Sequence, residues 1–385
     1  MNFSTDGPSR REAESKMIDS DLRDLVCLTM VAGVGPHTSR QLLERFGTAG
    51  RVLDASVSTL RDVQGIGPKI ADRIATARRD HDAGAELERC RRVGVQVVTS
   101  NDPLYPPPLQ DIPDPPFLLY IKGSYEPRDP LAIALVGSRR CTPYGLRVAE
   151  RLGASLARVG ITVVSGLARG IDAAAHRGAL KAGGRTLGVM ANGLGQVYPP
   201  EHEDLAAQIA DSGAVISEMP MGQGPLAGLF PQRNRIISGL SLGVVVIEAT
   251  PRSGSLSTAH HAMEQNRDVF AVPGPVDSLS SHGCHRLIRD GARLVETVDD
   301  ILEELGPLVR EIRPSSEETP VRHPAELTLS DLERSLLGQL DDRPTAVDEL
   351  IGRTGLVASQ VLATLSVLEM RRLVRRLPGH QFVRA

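Results

Sequence analysis

Glycine, serine and arginine recur in three short turns that follow apolar runs and precede stretches with helical spacing. Backbone N–H groups at the start of a helix point toward an anion, and the helix dipole favours negative charge at the same place. In the first turn Arg139 adds a full positive charge, and Thr142 and Pro143 are suited to the N-cap and first position of the next helix. We therefore expect a phosphate-binding site where three turns meet: Gly137-Ser138-Arg139, Ser165-Gly166 and Ser253-Gly254-Ser255.

A fourth segment places an aromatic ring and two guanidinium groups near the start of another predicted helix. Single-stranded nucleic acids are bound by such groups, because cations contact the backbone and a ring stacks on a base. The alternative is that the ring belongs to the core and that one arginine pairs with Glu218 or Glu248. For the whole cluster we favour phosphate binding, and its candidate residues are Phe230, Arg233, Asn234 and Arg235.

Other polar residues at the same predicted strand ends complete the candidate set, which adds Arg169, Asn192 and Thr258. Two residues nearby have acid–base chemistry. Asp172 fits a first-turn acid favoured by the helix dipole, and a lone helical histidine such as His176 is more often packed than catalytic. With Glu218, these two residues leave an enzyme in the same cleft as an open alternative.

The elements that must position these residues are short apolar runs that alternate with helical patterns. This alternation predicts a doubly wound α/β domain with a mostly parallel sheet, whose carboxyl edge gathers the turns. No Gly-x-Gly-x-x-Gly fingerprint follows the first strand and no Walker A loop is present, so a dinucleotide is not favoured. The predicted strands are Leu131–Val136, Ile161–Val164, Thr186–Met190, Ala214–Ile216, Gly243–Ile247 and Val269–Val272.

The amino-terminal part contains two similar segments, Val31–Pro36 and Val63–Pro68, each with a Gly-x-Gly turn between short helical patterns. They resemble a tandem helix-hairpin-helix motif, in which glycines let backbone N–H groups approach a phosphate. DNA contact and protein contact by this domain are both open interpretations. A proline-rich stretch after it, Asn101–Pro130, reads as an ordered connector that packs on the next domain.

The carboxyl-terminal part returns to helical spacing after a stretch rich in proline and charge. Three predicted helices and a two-stranded turn at Pro378-Gly379 indicate a winged helix. Its basic residues suit either phosphate contact or a solvated face on a partner-binding domain, and both remain open: Arg371, Arg372, Arg375, Arg376 and Arg384.

Composition limits the class of protein. The 385 residues carry a formal charge of −3, so any nucleic-acid binding must come from local patches. Four cysteines without CxxC spacing favour a reducing compartment and argue against a zinc site. We expect a soluble, cytoplasmic protein, because no apolar run is long enough to span a membrane and no signal-peptide core is present.

Taken together, the motifs closely resemble the DNA-processing protein A (DprA/Smf) family. The resemblance covers several motifs in order over about 131–305, and the tandem hairpins and winged-helix-like tail fit the longer members. The motifs are Val136 to Arg139, Ser165 to His176, Phe230 to Ile237, Ser253 to Ala259, Val272 to Gly274 and Gly283 to Ala292.

The resemblance implies an extended Rossmann-like domain that binds single-stranded DNA. It implies that the protein dimerises through this domain, protects incoming DNA and helps to load the RecA recombinase in natural transformation. It implies no cofactor and no catalytic turnover. By their positions, Gly137, Ser138 and Arg139 match the family's phosphate-contacting turn, and the stretch from Arg233 to Arg235 matches its second characteristic motif. Some members carry a basic residue where this chain has Pro200.

Two rivals come from other classes. The same sheet is related to nucleotide-hydrolysing proteins of the lysine-decarboxylase-like group, and such an enzyme would use Asp172, His176 or Glu218. That group has a loop glutamate where this chain has His261, so we rank the enzyme second. The other rival is a helical and winged-helix scaffold that binds protein.

The predicted organisation has six parts. They are a disordered amino terminus (1–20), a tandem helix-hairpin-helix or SAM-like domain (21–80), a connector (81–130), the Rossmann-like DNA-binding domain (131–305), a linker (306–327) and a winged helix (328–385).

Overall fold

A computed structural model describes residues 10–312, 331–340, 345–354, 356–370, 373–377 and 381–384. The chain divides into two units, residues 1–312 and residues 313–385. The first contains a helical domain and a large sheet, and the second contains three helices with a small sheet. Most of the predicted linker and the turn at Pro378-Gly379 lie outside the described residues.

The helical domain packs around aliphatic side chains that its short helices bury, among them Leu28, Leu42 and Ile74. Gly35 and Gly67 are the N-caps of two of these helices, each followed by proline at the first helical position. This arrangement matches the predicted pair of hairpins. The helices are α1 (Arg10–Met30), α2 (Pro36–Phe46), α3 (Ala49–Leu53), α4 (Val57–Arg61), α5 (Pro68–Ala75), α6 (Ala77–Asp80) and α7 (Ala83–Arg92).

Helices extend into two segments that the sequence analysis expected to be irregular. Of the residues predicted to be disordered (1–20), those from Arg10 onward belong to α1. The predicted linker is shortened by a helix that continues to Ile312. Arginine, glutamate, alanine, lysine and methionine in residues 10–17 have high helix propensity, which extends the first helix beyond its packed part.

The large sheet has nine strands: β1 (Val95–Thr99), β2 (Leu118–Gly123), β3 (Ala132–Val136), β4 (Thr162–Ser165), β5 (Thr186–Met190), β6 (Ala214–Ser217), β7 (Gly243–Val246), β8 (Asp268–Ala271) and β9 (Arg293–Leu294). Their order is β1-β2-β6-β5-β4-β3-β7-β8-β9. Strands β3 to β9 are parallel, and β2 pairs antiparallel with β6 and β1. The sheet is wound in both directions from β3, which creates a crevice beyond the carboxyl ends of β3 and β7.

Helices cover both faces of the sheet: α8 (Pro143–Arg158), α9 (Ile171–Lys181), α10 (Glu203–Ser212), α11 (Leu229–Gly239), α12 (Ser255–Glu264), α13 (His282–Arg289) and α14 (Val298–Ile312). Side chains of β3 alternate between the faces, as the period of two requires. Ala134 packs in the cluster that contains residues of α11, α12 and α13, and Ile133 in the cluster of α8, α9 and α14. The predicted doubly wound, mostly parallel fold is confirmed.

The connector joins the helical domain to the sheet and is itself packed, as expected. The Tyr105 ring is buried with Leu109 and Ile112, and its hydroxyl donates to the Pro116 carbonyl at 2.7 Å. Between the two domains, the Met221 N–H donates to the Glu86 carboxylate at 2.5 Å.

The second unit has the order of a winged helix, with α15 (Asp331–Leu337), β10 (Thr345–Ala346), α16 (Val347–Thr354), α17 (Ala358–Met370), β11 (Val374–Leu377) and β12 (Gln381–Arg384). The strands form a sheet in the order β10-β12-β11, and Leu350, Val361 and Phe382 lie in its core. Of the five arginines in the predicted basic patch, the described side chain is that of Arg375, which is exposed.

Within the described ranges, no single helix is long and apolar enough to cross a membrane. One bent pair passes on length and composition alone, Val347–Thr354 with Ala358–Glu369. Side chains of both helices pack in the core of the second unit.

Helices α8 and α9 approach each other closely because glycines stand at the contact. A Cβ atom on Gly153 would overlap the Ala175 carbonyl oxygen, and one on Gly178 would overlap the Glu150 carbonyl oxygen. Backbone meets backbone at both points, so neither contact is relieved by turning a side chain.

We predict that Gly178→Ala lowers the free energy of unfolding of the first unit by about 1–3 kcal/mol, because the added methyl forces the helices apart. Gly306→Ala in α14 is the matched control, since its Cβ would meet nothing within 4 Å. The control should raise the free energy of unfolding by up to about 1 kcal/mol, because alanine has a higher helix propensity than glycine. Equal effects in urea unfolding would contradict the close packing of α8 on α9.

Candidate functional site

A cleft of about 1030 Å³ opens beyond the carboxyl ends of β3 and β7. It lies at the point where the sheet reverses direction, the place where open α/β sheets bind ligands. Most of the predicted site residues line it: Gly137, Ser138, Arg139, Phe230, Arg233, Asn234, Ser253, Gly254, Ser255 and Thr258.

The turn after β3 leads into α8 as the sequence predicts. Thr142 is the N-cap, and its hydroxyl accepts a hydrogen bond from the Gly145 N–H at 3.2 Å. The buried Glu248 then adds a carboxylate to this helix start and accepts from the Thr142 N–H at 2.9 Å. The Glu248 carbonyl accepts from the Ser138 N–H at 2.7 Å. Glu248 thus connects the end of β7 to the turn after β3.

The turn after β4 has a carboxylate of its own. Asp172, on the first turn of α9, accepts from the N–H groups of Gly166 at 3.2 Å and Ala168 at 3.4 Å. Burial raises the pKa of Asp172, and the charge of Arg233 opposes that rise. Gly170 has φ +78°, and a Cβ there would overlap the Ser138 carbonyl oxygen, so this turn needs glycine to pack on the turn after β3.

These two carboxylates lie where the sequence analysis expected a phosphate. The sequence analysis expected the starts of α8 and α9 to present N–H groups to a phosphate, but Glu248 and Asp172 already complement them. The start of α12 differs, because its first turn contains no acidic residue and the Ser255 N–H donates to the Ser253 hydroxyl at 3.4 Å. The hydroxyls of Ser253 and Ser255 lie 2.8 Å apart. This third turn therefore presents hydroxyl groups to the cleft, while most of its N–H groups are bonded within the turn.

Arg233 is buried beneath the cleft, with 6% of its surface exposed. Its Nη1 donates to the Gly166 carbonyl at 2.7 Å and also to the Val189 carbonyl, so the guanidinium joins the ends of β4 and β5. Burial lowers the pKa of Arg233 to about 10, and the charge of Asp172 opposes the change. The side chain therefore remains protonated at neutral pH.

The next two residues of α11 reach other strand ends. The Asn234 amide donates to the Gly254 carbonyl at 3.3 Å, which connects α11 to the third turn. Arg235 donates to the Glu218 carboxylate at 2.7 Å, and both side chains are about nine-tenths buried. The expectation that Arg235 faces the cleft is wrong, and pairing with Glu218, the alternative weighed from the sequence, is what the structure shows.

The mouth of the cleft combines an exposed positive charge with two partly buried aromatic rings. The Arg139 guanidinium carbon lies 4.7 Å from the centroid of the Phe230 ring. The Tyr198 ring is tilted against Phe230, with centroids 5.9 Å apart. Tyr198 was not selected from the sequence, although its place in the turn after β5 was a usable signal. Arg140 also lines the cleft and was missed.

Four other predicted residues do not line the main cleft. Ser165 is buried, and its hydroxyl donates to the Leu135 carbonyl at 2.6 Å. The Asn192 amide donates to the carbonyls of Gly193 and Gln196. Arg169 is exposed and pairs with Glu201, and together with Gly166 it lines a small neighbouring cavity. Ser165 and Asn192 satisfy backbone groups and thereby shape the strand ends.

The acid–base residues are poorly placed for catalysis. His176 is fully buried and hydrogen-bonds the Thr186 hydroxyl at 2.7 Å, and burial lowers the pKa of His176 to about 3. Glu218 is engaged by Arg235. Among the described residues lining the cleft, Asp172 is the one carboxylate and no histidine joins it. No group of three or more His, Cys, Asp or Glu within the described part of the chain is placed to hold a metal ion.

Three family models match the chain in succession. A SAM-like helix-hairpin-helix tandem matches residues 27–80, the DNA recombination-mediator protein A model matches 96–306, and the DprA winged helix domain matches 320–380.

Individual relatives agree with these models. Protein Smf of Synechocystis is 35% identical, over 96% of this chain and 100% of that protein. The X-ray structure of DNA processing protein A from Streptococcus pneumoniae has a TM-score of 0.64 and 36% identity, over 73% of this chain and 97% of that one. A Helicobacter pylori DNA processing protein A, described for its unique single-stranded DNA binding mode, has a TM-score of 0.50 and 30% identity, over 55% of this chain and 96% of that one.

We predict that Glu218→Gln lowers the free energy of unfolding by about 3 kcal/mol, because it leaves the buried Arg235 charge without its counter-ion. Glu201→Gln is the matched control, since its pair with Arg169 is about half exposed and should contribute less than about 1 kcal/mol. Chemical unfolding of both variants measures the difference. Similar small losses would show that the Glu218–Arg235 pair does not support the strand ends.

Proposed function

Because the chain belongs to the DNA recombination-mediator protein A (DprA/Smf) family, we propose that it binds single-stranded DNA in the cleft as a non-enzymatic recombination mediator. The observation that carries this proposal is the pairing of an exposed cation with partly buried rings at the cleft mouth, Arg139 over Phe230 beside Tyr198. Charges for the backbone and faces for the bases are the two requirements of single-strand binding.

The proposed contacts divide between phosphate and base. Arg139 and Arg140 supply positive charge, and the hydroxyls of Ser253 and Ser255 supply hydrogen-bond donors elsewhere in the cleft lining. Phe230 stacks on a base. Contacts of this kind position the strand without reading its sequence.

The other predicted site residues act indirectly in this proposal. Buried side chains hold the strand ends and turns in place, while Thr258 and Gly166 shape the cavity walls. These positioning residues are Ser165, Asn192, Arg233, Asn234 and Arg235. Arg169 borders the neighbouring small cavity and would contact a base or phosphate that extends there.

We further propose the wider role implied by the family: protection of incoming DNA, loading of RecA and dimerisation through the Rossmann-like domain of residues 131–305. Support comes from the match of the recombination-mediator model to residues 96–306. Light scattering of the purified protein tests the dimer. The loading of RecA is tested by a fluorescence assay that monitors the replacement of a single-strand-binding protein by RecA on DNA.

We predict that Arg139→Ala weakens binding to a labelled oligo-dT by about tenfold or more, because it removes a phosphate contact and the charge over Phe230. The slope of log affinity against log salt should fall by about 0.7 for each lost contact. Fluorescence anisotropy at several salt concentrations measures both quantities. Arg286→Ala, an exposed arginine paired with Asp290 away from the cleft lining, is the control. Unchanged binding by Arg139→Ala would place the DNA elsewhere.

We predict a different result for Phe230→Leu. Loss of stacking should weaken binding by about 1–3 kcal/mol while leaving the salt slope unchanged, since no charge is removed. The same anisotropy titrations supply the measurement, and Phe230→Tyr should retain most of the affinity. A changed slope, or full affinity in Phe230→Leu, would mean that the ring does not stack on a base.

A further inference from the structure

A second basic feature begins where the cleft ends. A shallow groove of about 420 Å³ lies along α8 and α9 and is lined by Arg147, Arg151, Arg158 and Lys181. We propose that this groove is a second nucleic-acid contact surface that holds the phosphate backbone of single-stranded DNA leaving the cleft. The inference rests on the proposed function and extends the path of the bound DNA beyond the cleft at the carboxyl ends of β3 and β7.

The arginines share one face of α8. Residues 147, 151 and 158 follow the i, i+4, i+11 spacing, and all three are exposed. The opposite face, with Val148 and Leu152, is buried in the core. At about 1.5 Å per residue, the first and last arginines are about 16 Å apart along the helix. A row of this length matches several phosphates in succession rather than one small anion.

Carboxylates of the described residues do not neutralise the arginines of this row. Within the described residues, no carboxylate lies within 4 Å of a cationic nitrogen of Arg147, Arg151 or Arg158, and Arg151 donates to the Glu296 carbonyl at 3.4 Å. One acid, Glu150, lies in the groove and pairs with Lys181 at 3.1 Å. Other exposed arginines of the same domain have acidic partners, such as Arg293 with Glu304. An external polyanion would supply the missing counter-charge.

Continuity with the cleft identifies the polyanion. Helix α8 begins at Pro143, directly after Arg139 and Arg140 on the cleft wall, and Arg147 follows about one turn later. A strand that passes Arg140 therefore meets the first arginine of the groove next. The close approach of α8 to α9 keeps the row of arginines rigid, so DNA binding does not have to order this helix. The observations favour nucleic acid over an acidic protein segment, because the row starts at the DNA cleft.

The test compares two lengths of oligo-dT with the full chain carrying Arg147→Gln, Arg151→Gln and Arg158→Gln together. A short oligomer of about six nucleotides fills the cleft, and one of about 30 nucleotides also reaches the groove. We expect the triple variant to bind the long oligomer about tenfold more weakly at low salt. Its salt slope should fall by about 2, the value for three phosphate contacts on a single strand. Binding of the short oligomer should stay unchanged.

Two further variants keep the result interpretable. A triple substitution of Arg286, Arg289 and Arg293 by glutamine removes the same charge from another exposed part of the domain, outside the cleft and groove linings, and should leave both lengths bound as in the wild type. Glu150→Gln removes the acid from the groove and should tighten the long oligomer about twofold.

Contradicting outcomes separate the two proposals. An unchanged salt slope for the long oligomer in the triple variant overturns the groove proposal but does not affect the proposal of DNA binding in the cleft. This result would be found if the groove binds an acidic protein. Equal loss for both lengths also overturns it. Wild-type protein that binds neither oligomer overturns the proposed function, and the groove proposal falls with it.

Discussion

The site depends on the burial of two guanidinium groups by one helix. Arg233 and Arg235 point from α11 toward different strand ends, and both lie almost fully out of water. Arg233 has carbonyl partners on β4 and β5 and the negative charge of Asp172 nearby, while Arg235 has the carboxylate of Glu218. A buried charge without such partners would be costly, so α11 has one favourable position over the sheet. That position sets Phe230 at the cleft mouth and Asn234 against the third turn.

Carboxylates impose a second constraint on the same edge of the sheet. Glu248 and Asp172 complement the starts of α8 and α9 and fix the turns that carry Arg139 and Gly166. An incoming phosphate would meet negative charge at those two places. The turns instead hold the exposed Arg139 over Phe230, and the third turn adds the hydroxyls of Ser253 and Ser255. We therefore expect affinity to come from side chains at the rim rather than from three equivalent backbone cradles.

Periodicity and turn chemistry were sufficient to predict the architecture. The alternation of apolar runs with helical stretches located six parallel strands, and Thr142 and Pro143 marked the start of α8 because capping is a local property. Ten predicted site residues line the cleft for the same reason, since carboxyl ends of parallel strands share an edge. The roles of Arg235 and Ser165 depend on partners distant in sequence, Glu218 and Leu135. Residue type alone does not distinguish an arginine that faces solvent from one that is buried in an ion pair, so the sequence left the pairing of Arg235 as an alternative. Tyr198 was missed because its ring matters only beside Phe230.

The central claim is that single-stranded DNA lies across the rings at the mouth of the cleft. It is tested most directly by photo-crosslinking a 5-bromodeoxyuridine oligomer to the full chain and identifying the modified residues by mass spectrometry. The account predicts crosslinks at Phe230 or Tyr198, lost in competition with unlabelled oligo-dT. Crosslinks confined to the helical domain before residue 93 or to the winged helix after residue 330 would contradict it.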